Sequence, residues 1–519
     1  MPPSDYIHTR ELSQQPTNST EQYFSKVVDS HPYFPNLIVT ASDVTSVKHA
    51  ALVLVYSSFL LGLCNNNDTN TNNNDSYDQH IKNKLNEFFD SKGLPESSSS
   101  SSVVAIMNQL SCNKVTGGIT NALFRVSGFQ SVLPLLVDDT TNNNANAAAR
   151  LLDFDSVLVR IFGAEGMIDR DIETSTYAAL CNADIAYRYM GRFANGRIEG
   201  WLDGYHPLQS HDLVNDENVS LEIAKEMARL HCLFQVPEGE LRDHHCGPSS
   251  SDLDVISVGL WDQLSSWMEQ AKGYTEFKTV EDTERVRLLQ LDKIEMEVKT
   301  IIQSFTSQGE QVEGEGNDSG DSTASICGSS SNKQFNVVFC HNDLLPANIM
   351  RNKATGHIQL IDFEYGGSNY AAFDMANHFN EYAGGTTAKE NGVPDYTRFP
   401  NPERQTKFCV EYVKMTKRLE SMRSDITDRA DYDAAVGGNN NGNNDQKEEM
   451  VIEEDEGIMN EALQLLSHVQ KFILVNHLYW GLWAVNQAAE EGCEEFDYLT
   501  FASNRFNEYY VKKSEREKK

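Results

Sequence analysis

The sequence predicts an α+β chain folded as two lobes, a small lobe built on an antiparallel sheet with helices and a larger, mainly helical lobe after it. Three observations point there. Strand and turn patterning fills the stretch between the Ser97–Ser102 run and Arg160. Apolar residues at helical spacing dominate from Leu221 onward. Two short apolar runs, Val337–Cys340 and Ile358–Ile361, interrupt those helices as strands and carry polar residues into the loops beyond them.

At 519 residues and 39% hydrophobic content the chain can bury a sizeable core. A formal net charge of -33 argues against nucleic acid or an anionic membrane as partner and is compatible with a cationic substrate. Nine cysteines without a C-x-x-C pair give neither a zinc site nor a disulfide framework, so a reducing compartment is expected. The start, MPPSDYIHTRELSQQ, lacks the basic head and apolar centre of a signal peptide, and a cytoplasmic location follows as the expectation.

Taken in order, residues 1–35 are polar and are expected to form a mobile tail, 36–198 the first lobe and 199–512 the second. Ala50–Cys64 is the most apolar stretch, yet it falls short of the ~20 residues that span a bilayer, so it predicts a helix packed on the first lobe and no transmembrane segment. Helical patterning resumes in HIKNKLNEFF. The Asn-rich run 65–75, the serines 97–102, and segments 138–147, 307–333 and 436–455 are too polar and repetitive to pack and read as surface insertions. Thr116-Gly117-Gly118-Ile119-Thr120-Asn121 lies between apolar runs; its glycines let backbone N–H groups approach phosphate oxygens, and the same pair also fits a hairpin turn.

Ser156–Ile161 reads as a buried strand holding one cation, Arg160, and 169–173 opens the next helix with acids. A guanidinium so placed can grip phosphates through parallel hydrogen bonds, with Glu173 as its ion-pair partner; a solvent-facing pair is the plainer alternative. Gly196–Leu202 follows a turn and is read as the connection between lobes. Leu221–Phe234 is a core helix whose His231 is expected to be a packing histidine. A long helical pattern runs from Val286 through Ile302.

The chemistry concentrates between Asn336 and Gly385. The first strand delivers His341, Asn342 and Asp343 into a loop that Leu344, Leu345 and Pro346 hold in shape; Asn348 follows five positions after Asp343, and Asp362 ends the second strand. This H-x-D-x-x-x-x-N pattern, with D-F behind a strand, is what phosphoryl transfer requires: a carboxylate to take the proton of an attacking hydroxyl, and oxygen ligands to hold Mg²⁺ on nucleotide phosphates. Asp343 is the expected base, Asn348 and Asp362 the metal ligands, and His341 belongs to the same catalytic loop. Singly, each would read as a turn residue capping a strand end.

HNDLLPANI, IDFEY and NYAAFDMANHFNEYAG together resemble the choline/ethanolamine kinase family, and NHFNEYAG is more similar to the ethanolamine branch. The resemblance runs from about Thr116 to Tyr510 and implies a two-lobed protein-kinase-like fold, ATP with Mg²⁺ as cofactors, and phosphorylation of ethanolamine to phosphoethanolamine, the first step of the CDP-ethanolamine route. It also implies nucleotide contacts at Gly118, Thr120 and Asn121, at Arg160 with Glu173, and at Glu199 and Leu202 for the adenine. Tyr365, Glu381, Trp480, Trp483 and Phe496 match the residues that surround the amino head group, whereas Phe501 stands where choline-type members place a tyrosine. A homodimer is compatible with this reading.

Trp480 and Trp483 lie three apart on one face of a long apolar helix, where both indoles can reach one pocket. Rings and one carboxylate hold an ammonium, each ring contact being worth about 0.5–2 kcal/mol. Core packing is the usual fate of such a pair. A primary ammonium offers three N–H donors and rewards an additional acceptor, which Asn380 supplies; ethanolamine is therefore expected over choline. The rivals are a choline or dual kinase, an aminoglycoside phosphotransferase, which the aromatic wall argues against, and a catalytically silent pseudokinase that binds a partner, which the complete Asp343, Asn348 and Asp362 set argues against.

Overall fold

The computed structural model describes residues 28, 30–60, 101–115, 121–133, 154–163, 170–234, 259–306, 336–387, 389–432 and 444–518, with backbone alone at 59, 60, 101–104, 172, 306, 422–432 and 444–455. Gly118, Thr120, HIKNKLNEFF and the insertions 65–75, 138–147 and 307–333 lie outside the described residues. The chain divides into two compact units, residues 1–205 and 206–519.

The first unit is built on a six-stranded sheet. Its strands are β1 (Tyr33–Phe34), β2 (Ser111–Val115), β3 (Asn121–Ser127), β4 (Ser156–Phe162), β5 (Tyr189–Phe193) and β6 (Gly196–Gly200), in the order β1-β5-β6-β4-β3-β2. Neighbours are antiparallel except β1, which joins β5 in parallel. The sheet is therefore mixed, and Tyr33–Phe34 leave the expected polar tail to become its edge. Phe34 is buried because the strand it pairs with supplies the apolar neighbours that its own polar surroundings lack.

Helix α1 (Val44–Leu60) covers that sheet. Val47, Ala50, Leu52, Val53, Leu54 and Val55 are all buried, and from Ala50 to Ser58 the helix is enclosed on every side, whereas its first turn, at Val44 and Thr45, is exposed. Each large side chain so buried contributes about 1.5–3 kcal/mol. Ser57 and Ser58 fit inside because their hydroxyls donate to the Val53 and Met190 carbonyls at 2.7 and 2.6 Å. No described helix is long and apolar enough to cross a membrane. Helix α2 (Ser101–Gln109) packs on α1, and α3 (Arg170–Asn182) follows β4, opening with Asp171 and Glu173 in its first turn.

The second unit is mainly helical. Helix α4 (Glu217–Leu233) buries Ile223, Met227 and Leu230 at the predicted spacing; α5 (Leu260–Gly273) follows. The pattern from Val286 to Ile302 is two helices, α6 (Val280–Leu288) and α7 (Leu291–Thr306), because Gln290 takes a left-handed φ of 56° that ends the helical path. Two small sheets carry the loops of interest: β8 (Val337–Cys340) pairs with β11 (Gly367–Tyr370), and β9 (Ile349–Asn352) lies between β10 (Ile358–Leu360) and β7 (Tyr205–Pro207).

Helices α8 (Ala371–Glu381), α9 (Pro402–Tyr432), α10 (Asn444–Glu490) and α11 (Tyr498–Glu517) complete the unit. Helix α10 packs on α5, α8, α9 and α11, so its apolar half is the core of this unit. Its polar first turns correct the expected insertion 436–455: from Asn444 the chain is already helical. Glu, Lys, Gln and Met there are strong helix formers, and a segment too polar to be buried can still be helical.

Candidate active site

The loop after β8 is pinned from beneath by Asp374, one turn into α8. Asp374 accepts from the His341 and Asn342 backbone N–H groups at 2.9 and 2.8 Å and lies 3.1 Å from His231 Nε2. Burial pushes this carboxyl up, but the His231 hydrogen bond and the His341 N–H hold it below the usual carboxylate range. His231 also meets the Tyr412 hydroxyl at 2.9 Å, so it is a fully used core histidine. Asp374 thus lies behind the loop.

His341 is fully buried, and its Nε2–H donates to the Ile361 carbonyl at 2.9 Å while its ring packs on Phe363. The Ile361 N–H in turn donates to the Asn348 carbonyl at 3.0 Å. One peptide before Asp362 is thus tied to both ends of the loop. His341 acts as a positioning residue, since no part of its ring reaches the surface.

Pro346–Asn348 form a single 3-10 turn, with Pro at its first position where the missing N–H costs nothing. That turn brings Asn348 Nδ2 to 2.9 Å from the Asp343 carbonyl and 3.1 Å from Asp343 Oδ2. Asp362 and Asn342 both sit at left-handed φ, 64° and 66°. Burial raises Asp343 well above the usual range, and the charges of Glu381, Glu364 and Asp362 add to it. Carboxylates crowded in this way call for a cation. The donors present, two carboxylates and the Oδ1 that Asn348 has left, are the hard oxygens that Mg²⁺ prefers. The one trio of His, Cys, Asp or Glu ligand atoms lying within 4.8 Å of one another among the described residues is His231, Cys340 and Asp374, whose carboxylate is already committed to the loop.

Downstream, the rings converge. Tyr365 packs edge-on to Trp480 at 5.4 Å, and Trp480 edge-on to Trp483 at 5.3 Å; Trp483 Nε1–H donates to the Tyr365 hydroxyl at 3.1 Å. Tyr498 follows Trp483 at 5.6 Å and Phe496 follows Tyr498 at 4.9 Å, with Phe501 6.1 Å beyond. Burial raises the Tyr365 hydroxyl, and the Glu364 and Asp343 charges raise it further.

Glu381 differs from expectation. Its Oε1 is 3.3 Å from Arg505 Nη1, so a cation of the chain itself already neutralises part of its charge. Its Oε2 is buried without a hydrogen-bond partner. Burial raises the Glu381 carboxyl and Arg505 opposes the rise. Asn380 is equally divided: Nδ2 donates to Asn476 Oδ1 at 2.8 Å, and Oδ1 is buried and unpartnered. Arg505, Asn476 and Asn377 escaped the sequence reading, although polar residues inside otherwise apolar helical runs were a signal that partners were waiting.

In the first unit Arg160 and Arg197 stand opposite each other on β4 and β6, an arrangement that repels unless acids intervene. Glu199 intervenes, accepting from Arg160 Nε at 2.8 Å and Arg197 Nε at 2.7 Å. Glu173 takes Arg197 at 2.9 Å and Arg170 at 2.8 Å. Burial pushes Glu173 up, but Arg197, Arg160 and Arg170 overrule it and hold it at about 2. The predicted Arg160–Glu173 relation is therefore electrostatic within a network of five charged residues, in which Arg160 donates to Glu199. Strand β6 is paired on both sides, and Trp201 and Leu202 follow directly after its end. The first compact unit runs to residue 205 and contains the whole of β6. Asn121 opens β3 opposite Phe162 and is buried.

A sheet-based unit followed by a mainly helical one, with Asp343, Asn348 and the peptide before Asp362 tied together beyond strand ends, is the arrangement of the protein-kinase-like class. Residues 112–510 match the choline/ethanolamine kinase family, and the chain belongs to it. It is 27% identical to probable choline kinase 3 of Arabidopsis thaliana over 79% of this chain and 89% of that one. It is also 27% identical to ethanolamine kinase 1 of Mus musculus over 74% of this chain and 84% of that one. Among solved structures, Plasmodium vivax ethanolamine kinase superposes with a TM-score of 0.54 at 21% identity, covering 92% of this chain and 99% of that one, a likeness of fold. Kinases of this family use ATP with a divalent metal.

Proposed function

We propose that the protein transfers the γ-phosphoryl group of ATP to the hydroxyl of ethanolamine, giving phosphoethanolamine and ADP. The observation that carries the reading is the Asp343–Asn348 contact, joined to the Tyr365–Trp480–Trp483 wall through Asn342, whose Nδ2 donates to the Tyr365 carbonyl at 2.9 Å. Asp343 accepts the hydroxyl proton as that oxygen bonds to phosphorus and the bond to ADP breaks. Asp362 and Asn348 Oδ1 would hold Mg²⁺, which would supply positive charge against that developing on the phosphates. Arg160 is the phosphate-gripping cation, held in rotamer by Glu199.

Equal identity to a choline kinase and an ethanolamine kinase leaves the amine to residue chemistry. Two buried acceptors without partners, Glu381 Oε2 and Asn380 Oδ1, suit a primary ammonium, which has N–H groups to give them; a quaternary ammonium has none. The aromatic wall serves either cation, so choline is the second reading.

The test is ADP release with ethanolamine, N-methylethanolamine and choline, with and without Mg²⁺. Ethanolamine is expected to give the highest kcat/KM, and Asp343→Asn to lower turnover about a hundredfold or more. Choline ranking first would transfer the assignment to the other branch; no turnover of any amino alcohol would favour a binding module.

A further inference from the structure

Behind the aromatic wall runs a chain of hydrogen bonds whose direction is dictated by its two ends. Trp480 Nε1–H can only donate, so Asn377 presents Oδ1 to it, at 2.7 Å. The same Oδ1 accepts from Asn476 Nδ2 at 2.8 Å. The Asn476 amide is thereby oriented with Oδ1 toward α11, where it accepts from Arg505 Nη2 at 2.6 Å, and a guanidinium also can only donate. Arg505 Nη1 then reaches Glu381 Oε1. Asn377 and Asn476 are fully buried, and Arg505, Glu381 and Trp480 nearly so.

We propose that Asn476 is a positioning residue for the amine: by donating to Asn377 and accepting from Arg505, it sets the Trp480 indole and the Glu381 carboxylate at one fixed separation, and so fixes the size of cation that ring and acid can hold together. This rests on the amino-alcohol reading above. An apolar residue at 476 would leave two buried donors, Asn380 Nδ2 and Arg505 Nη2, without their shared Oδ1 acceptor, so the network contributes to stability as well as register, and the split between amine KM and ATP KM is what separates the two roles. Asn476→Asp separates the two ends of the chain. Its carboxylate still accepts from Arg505, but faces Asn377 Oδ1 with no proton to give, and Asn377 satisfies it only by turning its NH₂ toward the indole N–H.

Wild-type turnover is measured first, and absence of turnover would refute the functional reading rather than this one. On active enzyme, KM for ethanolamine, KM for ATP, kcat and melting temperature are measured for Asn476→Asp, Trp480→Phe and the double variant. Asn476→Asp is expected to raise the amine KM about tenfold or more while the ATP KM stays as in wild type. The double variant should be no worse than the poorer single one, because both changes cut the same link. Additive losses, or equal rises in both KM values, overturn the proposal. Asn476→Ala carries the same expectation and replaces Asn476→Asp should the latter not fold.

Discussion

Asn342 shows how a single residue can hold a functional loop in a conformation that most side chains resist. Its left-handed backbone, which would cost other L-residues about 1–2 kcal/mol, is fixed by three hydrogen bonds: N–H to Asp374, Nδ2 to the Tyr365 carbonyl at 2.9 Å, and Oδ1 from Asn369 Nδ2 at 2.8 Å. The side chain thus ties the Asp343 loop to Tyr365, the first ring of the aromatic wall. Replacement by Gly or Ala removes that tie equally, but only Ala keeps the backbone strain. Asn342→Ala should therefore be less stable than Asn342→Gly by about 1 kcal/mol in urea denaturation, the reverse of the ordinary ranking in helices. Equal stability would mean that the left-handed turn is not what Asn contributes here.

At the scale of elements, the glycine between the two tryptophans on α10 has a packing reason. A Cβ on Gly481 would run into the Phe506 ring of α11. The helices approach that closely because the residue facing Phe506 has no side chain, and the same approach lets Arg505 reach Asn476 and Glu381. Gly481→Ala should gain local helix propensity and lose more by overpacking, with a net destabilisation of about 1–3 kcal/mol. Because Trp480 and Leu482 flank it, the amine KM should rise as well. Thermal denaturation together with amine titration checks both; a more stable variant with unchanged KM would show that the helix pair has room to spare.

At the scale of the molecule, the buried imidazoles His341, His378 and His477 are among the described histidines that burial drives toward the neutral form. His378 is lowered to about 4 from an ordinary 6.5. Between those values the unfolded chain binds a proton that the folded one refuses, so stability falls as pH falls through the window. The raised carboxyls Asp343 and Glu381 act with the opposite sign, and Glu173, at about 2, matters only in stronger acid. The informative quantity is therefore a difference. Between pH 7 and pH 5 the wild type should lose about 2 kcal/mol relative to His378→Gln, read from denaturant midpoints at each pH. Identical pH dependence would mean that His378 is protonated in the folded state.

The one-dimensional order of residues determined what depends on spacing and on side-chain type. Helix α4, strands β8 and β10, the loop from His341 to Asn348 and the indole pair on α10 are local patterns of apolar period and turn chemistry, and they could be placed before any fold was known. What lay beyond reach depended on neighbours distant in sequence. Tyr33–Phe34 became a strand because β5 was there to pair with it, and Glu199 became the partner of Arg160 through sheet register. Asp374 became the anchor of a loop thirty-odd positions earlier, and Glu381 met Arg505 across 124 positions. Buried polar groups must find partners, and the sequence announces that need without naming who meets it; only the packing of helices and strands makes the choice.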